Sequence, residues 1–161
     1  RTVKIKESVT LKSIVLFVFC LCVLFAGCGK ENVTIDVAGL ADELKNTIPF
    51  SDSLEEMSEV AFQLKYDIDE ADIVSKKIYV GSGATAEEIA VFEAKDEEAA
   101  KRILSAVDLH VEEQIHEYTN YNPDELKKLN DSVKMQKGKY VILCVSDHSE
   151  TARACINKYA K

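Results

Sequence analysis

The segment Ser146-Asp147-His148-Ser149 contains every side-chain type of a hydrolase triad. Adjacent side chains cannot point at one another as the nucleophile, base and acid must, and established triads assemble from distant segments. The spacing of Asp147 and Glu150 is instead typical of the first turn of a helix. We therefore predict no catalytic residue in this segment.

A second chemical pattern, Glu113-Gln114-Ile115-His116, matches the Glu-x-x-His sequence of helical di-metal sites. Those sites need the pattern on two helices with further carboxylates facing inward, and this chain has a single copy. His110 lies about 240° around a helix from His116, so the two imidazoles cannot share a ligand face. The pattern favours a solvated, charged helix face over a metal site.

Residues 67–72 (DIDEAD) form an acidic run that suggests a calcium-binding loop. An EF-hand that starts at Asp67 needs glycine where Asp72 stands and a bidentate glutamate where Ile78 stands. The EF-hand is therefore excluded, while a weak, irregular cation site in this loop stays open. No spacing elsewhere in the chain signals a metal or a cofactor, and we predict neither.

Residues 81–83 (GSG) resemble a phosphate-binding loop in composition. Phosphate binding requires a helix directly after the glycines, whereas β-forming residues lie on both sides of this segment. The geometry of a turn explains the two glycines. If the loop binds a ligand, the polar side chains that it would display are Ser82, Thr85, Glu87 and Glu88, which form our candidate binding surface.

Apolar periodicity predicts the elements that position these residues. Helical spacing recurs at residues 37–48, from about 53 to 64, at 97–121, from 123 and from 149, and strands are predicted at 75–81, 87–94, 133–137 and 139–146. Asp96 is the predicted N-cap of the long helix, and Asn122 with Glu125 is the predicted capping box of the next one. The order ααββααββα predicts an α+β fold, with helices on one face of a four-stranded, mostly antiparallel sheet of two hairpins.

The first 27 residues have the pattern of a bacterial export signal. A basic start precedes an unbroken apolar run of 13 residues at 14–26, which is shorter than the roughly 20 that span a bilayer. The run ends in Phe25-Ala26-Gly27-Cys28, which resembles the lipobox of bacterial lipoproteins, where the cysteine thiol takes a diacylglyceryl group. We predict a signal peptide at 1–27, lipid on Cys28 with a short tether at 28–35, and one domain at 36–161. An uncleaved membrane anchor is the alternative.

The charge of the predicted domain excludes one class of partner. Residues 1–27 hold four basic residues and one acidic residue, so 16 basic and 27 acidic residues follow, a net charge of −11. Such a domain is repelled by nucleic-acid phosphates and by an anionic membrane surface. We therefore predict no nucleic-acid partner and attachment to the membrane through lipid on Cys28. For Cys144 and Cys155 we favour two buried free thiols over a disulfide.

Two longer segments, residues 79–96 (YVGSGATAEEIAVFEAKD) and residues 138–147 (GKYVILCVSD), carry a family likeness. Together with Tyr66-Asp67-Ile68-Asp69 they resemble the DUF4358 family of lipoproteins from Gram-positive bacteria, over about residues 36–158. That family has no established activity, so the resemblance implies an extracytoplasmic address and a domain boundary but no catalytic or binding residue.

These features predict a lipoprotein anchored to the extracytoplasmic face of the cell membrane. We expect a non-enzymatic binding or interaction module, with an envelope protein or a small molecule as its unidentified partner. The alternative is a small cell-envelope enzyme whose carboxylates, for example Glu87 and Glu88, meet other carboxylates only in the fold. A deep pocket with two convergent carboxylates of shifted pKa would favour the enzyme, and a shallow surface would favour the binding module.

Overall fold

The computed structural model describes residues 33–159. The elements in chain order are α1 (Val37–Thr47), β1 (Glu55–Glu56), α2 (Glu59–Lys65), β2 (Ile73–Val80), β3 (Glu88–Ala94), α3 (Glu97–Tyr121), α4 (Leu126–Asn130), β4 (Val133–Lys137), β5 (Tyr140–Val145) and α5 (Ser149–Tyr159), with 3-10 turns at Glu70–Asp72 and Pro123–Glu125. The predicted signal peptide and Cys28 lie outside the described residues. None of the helices within 33–159 is long and apolar enough to cross a membrane.

The five strands form one antiparallel sheet in the order β1-β2-β3-β5-β4. Strands β2 and β3 form the first predicted hairpin, and β4 and β5 form the second, which turns at Gly138 with φ 56°. The α+β class and the two hairpins are thus confirmed, but the count of four strands is wrong. The additional strand β1 consists of two exposed glutamates that pair with the end of β2. A polar segment of two residues shows no alternation of apolar and polar side chains, so the sequence pattern could not predict it.

Helices cover both faces of the sheet, which corrects the predicted single helical layer. Alternate residues of β3 face opposite sides, so Ile89 and Val91 pack with α1 and α5 while Ala90 and Phe92 pack with α2 and α3. The reason is visible in the strand itself, because an interior strand that is apolar on both faces needs two covering layers. Its interior position was predicted correctly, since β3 lies between β2 and β5.

The second helix begins later than predicted, and the residues that it buries differ from those predicted. It starts after Ser58, whose hydroxyl accepts a hydrogen bond from the amide of Ala61 at 3.2 Å, so the predicted start near residue 53 is wrong. Only Phe62 of this short helix is buried. Val60 and Leu64, which we expected to face inward, are 69% and 82% exposed.

The predicted N-cap of the long helix is confirmed, because the carboxylate of Asp96 accepts a hydrogen bond from the amide of Ala99 at 2.7 Å. The capping box after it is wrong. The side chain of Asn122 makes no cap bond, and Glu125 does not reach back to it. Glu125 instead lies buried and accepts hydrogen bonds from the amide of Ala86 and the ammonium of Lys128. The side chain of Glu125, which the local pattern assigned to a cap, thus makes tertiary contacts instead.

Candidate functional site: a polar cleft between the long helix and the first hairpin

A cleft of about 310 Å³ opens between the end of α2, the loop that joins β2 to β3, and the second half of α3. Its volume lies at the lower end of the range for small-molecule sites, roughly 300–1,000 Å³. One face of α3 supplies its long wall. The residues of that wall recur at helical spacing, namely His110, Glu113, Gln114, Glu117, Tyr118 and Tyr121.

Glu88 lies in the cleft lining at the start of β3, with 1% of its surface exposed. Three side chains converge on its carboxylate. The hydroxyl of Tyr66 donates to Oε1 at 2.6 Å, and the Nε2 atoms of His110 and Gln114 both lie 2.9 Å from Oε2. The imidazole of His110 also stacks against the ring of Tyr66, with centroids 4.2 Å apart. We call Tyr66, Glu88, His110 and Gln114 the Glu88 cluster.

The amide of Gln114 leaves one acceptor without a partner. A carboxylate oxygen requires an N–H group opposite it, which fixes the orientation of the amide with Nε2 toward Glu88. The other end, Oε1, is buried and has no hydrogen-bond partner among the described residues. Because a buried unpaired acceptor costs about 1–3 kcal/mol, Gln114 is a position where a donor from a ligand would be stabilising.

The electrostatics of the Glu88 cluster favour an ionised carboxylate. Burial alone raises the pKa of Glu88, but the hydrogen bond and the electrostatic attraction of His110, together with the hydrogen bonds from Tyr66 and Gln114, outweigh it and lower the pKa below its ordinary value. Burial and the neighbouring negative charge together raise the pKa of Tyr66 well above its ordinary value, so the phenol keeps its proton. A negative charge therefore lies beside the cleft without a Lys or Arg bonded to it.

A second buried carboxylate belongs to Glu87, the residue directly before β3. The carboxylate of Glu87 accepts hydrogen bonds from the amides of Ser51 and Asp52 at 3.0 and 2.8 Å, and from the ammonium of Lys128 at 3.1 Å. Burial raises the pKa of Glu87, and these bonds lower it further than burial raises it. The carboxylates of Glu87 and Glu88 have no hydrogen-bond partner in common. The convergent carboxylate pair that would favour an enzyme is not formed by these two residues.

Lys128 also lies 3.1 Å from the hydroxyl of Ser51, a distance typical of a serine–lysine nucleophile pair. Such a pair needs a lysine that can accept the serine proton. Burial lowers the pKa of Lys128, but the carboxylates of Glu125 and Glu87 raise it more, so the net direction is upward. The lysine is therefore held in its charged form and cannot serve as that base.

The loop between β2 and β3 is built around Asp52. Its Oδ2 atom accepts hydrogen bonds from the amide and the hydroxyl of Ser82, both at 2.7 Å, and from the hydroxyl of Thr85 at 3.2 Å. These are the donors that a phosphate would need, and an internal carboxylate already occupies them. A Cβ atom at Gly81 would lie 2.9 Å from the same oxygen, which explains the glycine there.

The four residues of the predicted binding surface are therefore placed differently from one another. Ser82 is exposed and Thr85 is half-buried, and both are bonded to Asp52. Glu87 and Glu88 are buried at 3% and 1% exposure, so neither is displayed by the loop. Thr85, Glu87 and Glu88 belong to the cleft lining.

The other residues that the sequence analysis considered, in the acidic run and at Ser146, bond to neighbouring groups of the fold. In the acidic run, Asp72 bonds to Arg102 and Lys95, and the carboxylate of Asp69 accepts the amide of Ala71. Across residues 33–159 no group of three or more His, Cys, Asp or Glu side chains could hold a metal ion. The hydroxyl of Ser146 is buried and accepts the amide of His148 at 3.1 Å, which is turn geometry.

Tyr66, His110 and Gln114 are the site residues that sequence reasoning missed. The apolar stripe of α3 runs through Ile103 and Val107 and then continues on its buried side with His110 and Gln114. Polar residues at core positions of an otherwise apolar stripe are a signal that something polar packs against them. The sequence could not identify Glu88 as their common partner, because it lies 22 residues before His110 in the chain.

The fold and the cleft define a small α+β domain with a ligand-sized, negatively charged cleft at one end of its sheet. The chain belongs to the DUF4358 family, a domain of unknown function, which matches residues 46–146. This segment contains all five strands and every residue of the cleft lining. No curated protein and no solved structure matched the chain.

Proposed function

We propose that this protein is a lipid-anchored binding module of the extracytoplasmic membrane face, and that the cleft beside the Glu88 cluster takes a small polar ligand. The observation that carries the binding part is the unpaired Oε1 of Gln114, a buried acceptor among the residues that line a ligand-sized cleft. The address is supported by the export signal and the lipobox that ends at Cys28.

The geometry supports binding better than catalysis. A carboxylate that acts as a general acid needs a raised pKa, whereas hydrogen bonds hold the pKa values of Glu87 and Glu88 below their ordinary values. The serine nearest to a basic side chain, Ser51, faces a lysine that stays charged. Within the described part of the chain, Glu87 and Glu88 are therefore suited to accept hydrogen bonds and not to act as general acids.

The anchor is tested by expressing the full chain and a Cys28→Ala variant in a bacterium. We expect the normal protein to lack residues 1–27, to carry the mass of a diacylglyceryl group and to partition into detergent. The variant should lose the lipid mass and the partitioning. Persistence of an unlipidated full-length chain would overturn the proposed address.

The cleft is tested by NMR titration of the full chain in detergent micelles. The probes are propylammonium, propionamide and propionate, which have similar size and charges of opposite sign or none. Binding predicts saturable shifts of the Gln114 side-chain amide and the Gly83 backbone amide with at least one probe. A second series on Gln114→Leu, which has no side-chain amide, is read at the Gly83 backbone amide and should lose the shift there. If no probe moves either signal, the cleft is not a binding site and the proposal fails.

A further inference from the structure

We propose, resting on the proposed binding function, that the cleft is selective for a ligand with an aliphatic primary ammonium group. The geometry combines three features that recognise such a group, namely uncompensated carboxylates, an unpaired acceptor and an exposed aromatic ring. Different residues of the lining supply each feature.

The first feature is the balance of charge. Glu113 and Glu117 line the cleft together with Glu88, whose carboxylate is already in contact with His110 at 2.9 Å, and Lys65 is the only Lys or Arg among the described lining residues. Glu87 does not add to this balance, since Lys128 pairs with it at 3.1 Å. Neither Glu113 nor Glu117 forms an ion pair within residues 33–159. The two glutamates are four residues apart on α3, where like charges repel each other, and a bound cation would relieve that repulsion.

Tyr118 lies in the wall of the cleft close to these carboxylates. Its hydroxyl donates to the carbonyls of Gly83 and Thr85 at 3.1 and 2.6 Å, which places the ring in the cleft wall. Burial raises its pKa to about 12, and the nearby carboxylates of Glu125, Glu117 and Glu88 act in the same direction. Burial disfavours a charge of either sign, whereas the carboxylates favour a cationic ligand over an anionic one.

The second and third features set the chemistry of the cation. Gln114 is 8% exposed and its Oε1 has no partner among the described residues, so it suits a ligand that brings an N–H donor. Tyr121 is 70% exposed and meets the ring of Tyr118 edge-on at 6.0 Å. A cation at the mouth of the cleft gains from the face of such an aromatic ring. A primary ammonium has three donors and a compact charge, and therefore satisfies all three features.

The experiment uses the three-probe titration of the full chain at low salt. We expect propylammonium to bind more tightly than propionamide and propionate to be the weakest. Gln114→Leu should weaken propylammonium binding about tenfold or more, as expected for a lost bond to a charged group. Glu113→Gln with Glu117→Gln should weaken it about threefold or more, as expected for two exposed charges. Glu112→Gln is the matched control, because Glu112 is exposed on the same helix but outside the cleft lining.

The outcomes separate this inference from the proposed function. If propionamide or propionate binds better than propylammonium, the cleft binds a ligand but the ammonium inference is wrong. The inference is also wrong if the double glutamine variant leaves binding unchanged, or if Glu112→Gln weakens it equally. If none of the three probes shifts the Gln114 or Gly83 signals, both proposals fail together.

Discussion

Glu88 is a fully buried carboxylate whose hydrogen-bond donors are a phenol, an imidazole and a carboxamide. A charge in such a place is costly unless several donors satisfy it, and here donors reach both of its oxygens. The same arrangement leaves Gln114 with one amide end bonded and the other unpaired. The stability of the cluster and its unpaired acceptor thus come from the same side chains.

The contribution of Tyr66 to this cluster can be measured directly. Tyr66→Phe removes the 2.6 Å bond to Glu88, so we expect the free energy of unfolding to fall by about 1.5–3 kcal/mol. The pKa of Glu88 should rise, because one of the bonds that lowers it is gone. Urea denaturation and carboxyl-carbon NMR measure the two effects. Tyr121→Phe, at an exposed ring, is the control and should stay within about 0.5 kcal/mol. Equal destabilisation by both variants would contradict the role of Tyr66.

The two cysteines of the domain are free and buried, on facing elements β5 and α5. Burial raises the pKa of Cys144 to about 12 and also raises the pKa of Cys155. Because the thiolate is the reactive form, we expect native Cys144 to be alkylated at least about a hundredfold more slowly than in the urea-unfolded chain. Iodoacetamide labelling at pH 8, read by peptide mass mapping, measures both residues. Rapid labelling of Cys144 in the native chain would contradict its burial.

At the scale of elements, the sequence predicted what local pattern determines. The apolar face of α1, the Asp96 cap, the two hairpins and the interior position of β3 all follow from periodicity or turn chemistry. The errors have tertiary causes. Glu125 bonds to Ala86, 39 residues away, and so is unavailable as a cap. Leu54 is buried from a loop, which made its apolar character resemble the start of a helix.

The Glu88 cluster could not be predicted from local sequence pattern either, because its members are far apart in the chain. Glu87 and Glu88 stood out as polar residues of a loop, but their partners come from α2, α3, α4 and the segment after α1. One sequence gives no register between such distant elements. The only available signal was the pair of polar residues, His110 and Gln114, on the otherwise apolar stripe of α3.

The N-cap of α3 gives a prediction at this scale, because α3 supplies the long wall of the cleft. Asp96→Ala removes the hydrogen bond to Ala99 and should lower the free energy of unfolding by about 1 kcal/mol, within a usual range of about 0.5–2. Asp36→Ala is the matched control, since Asp36 precedes α1 at the same position without a side-chain cap bond. Thermal or urea denaturation measures both variants. An equal or larger loss from Asp36→Ala would show that the cap bond of Asp96 is not the cause.

At the scale of the whole molecule, the ionisable groups that folding shifts predict how stability depends on pH. Hydrogen bonds lower the pKa values of Asp72 and Glu93, and in Glu87 and Glu88 they outweigh the opposing effect of burial. A lowered pKa gives stability that is present above the ordinary value of the group and lost as pH falls toward its folded value. Burial raises the pKa values of Cys144 and Tyr118 to about 12 from ordinary values of 9.0 and 10.0. Above those ordinary values the unfolded chain loses protons first, so stability falls as pH rises.

We therefore expect the free energy of unfolding to be nearly constant between about pH 5 and pH 8 and to decline on both sides. Urea denaturation at pH 3 to 11 measures the profile, with the same detergent and ionic strength at every point. Glu88→Gln removes one lowered pKa and should make the acid decline less steep. Cys144→Ala does the converse, since it removes one raised pKa and leaves the carboxylates in place. An acid decline that is identical in the normal chain and in Glu88→Gln would mean that folding does not lower the pKa of Glu88. The hydrogen bonds of the Glu88 cluster would then not stabilise the ionised carboxylate over the protonated one.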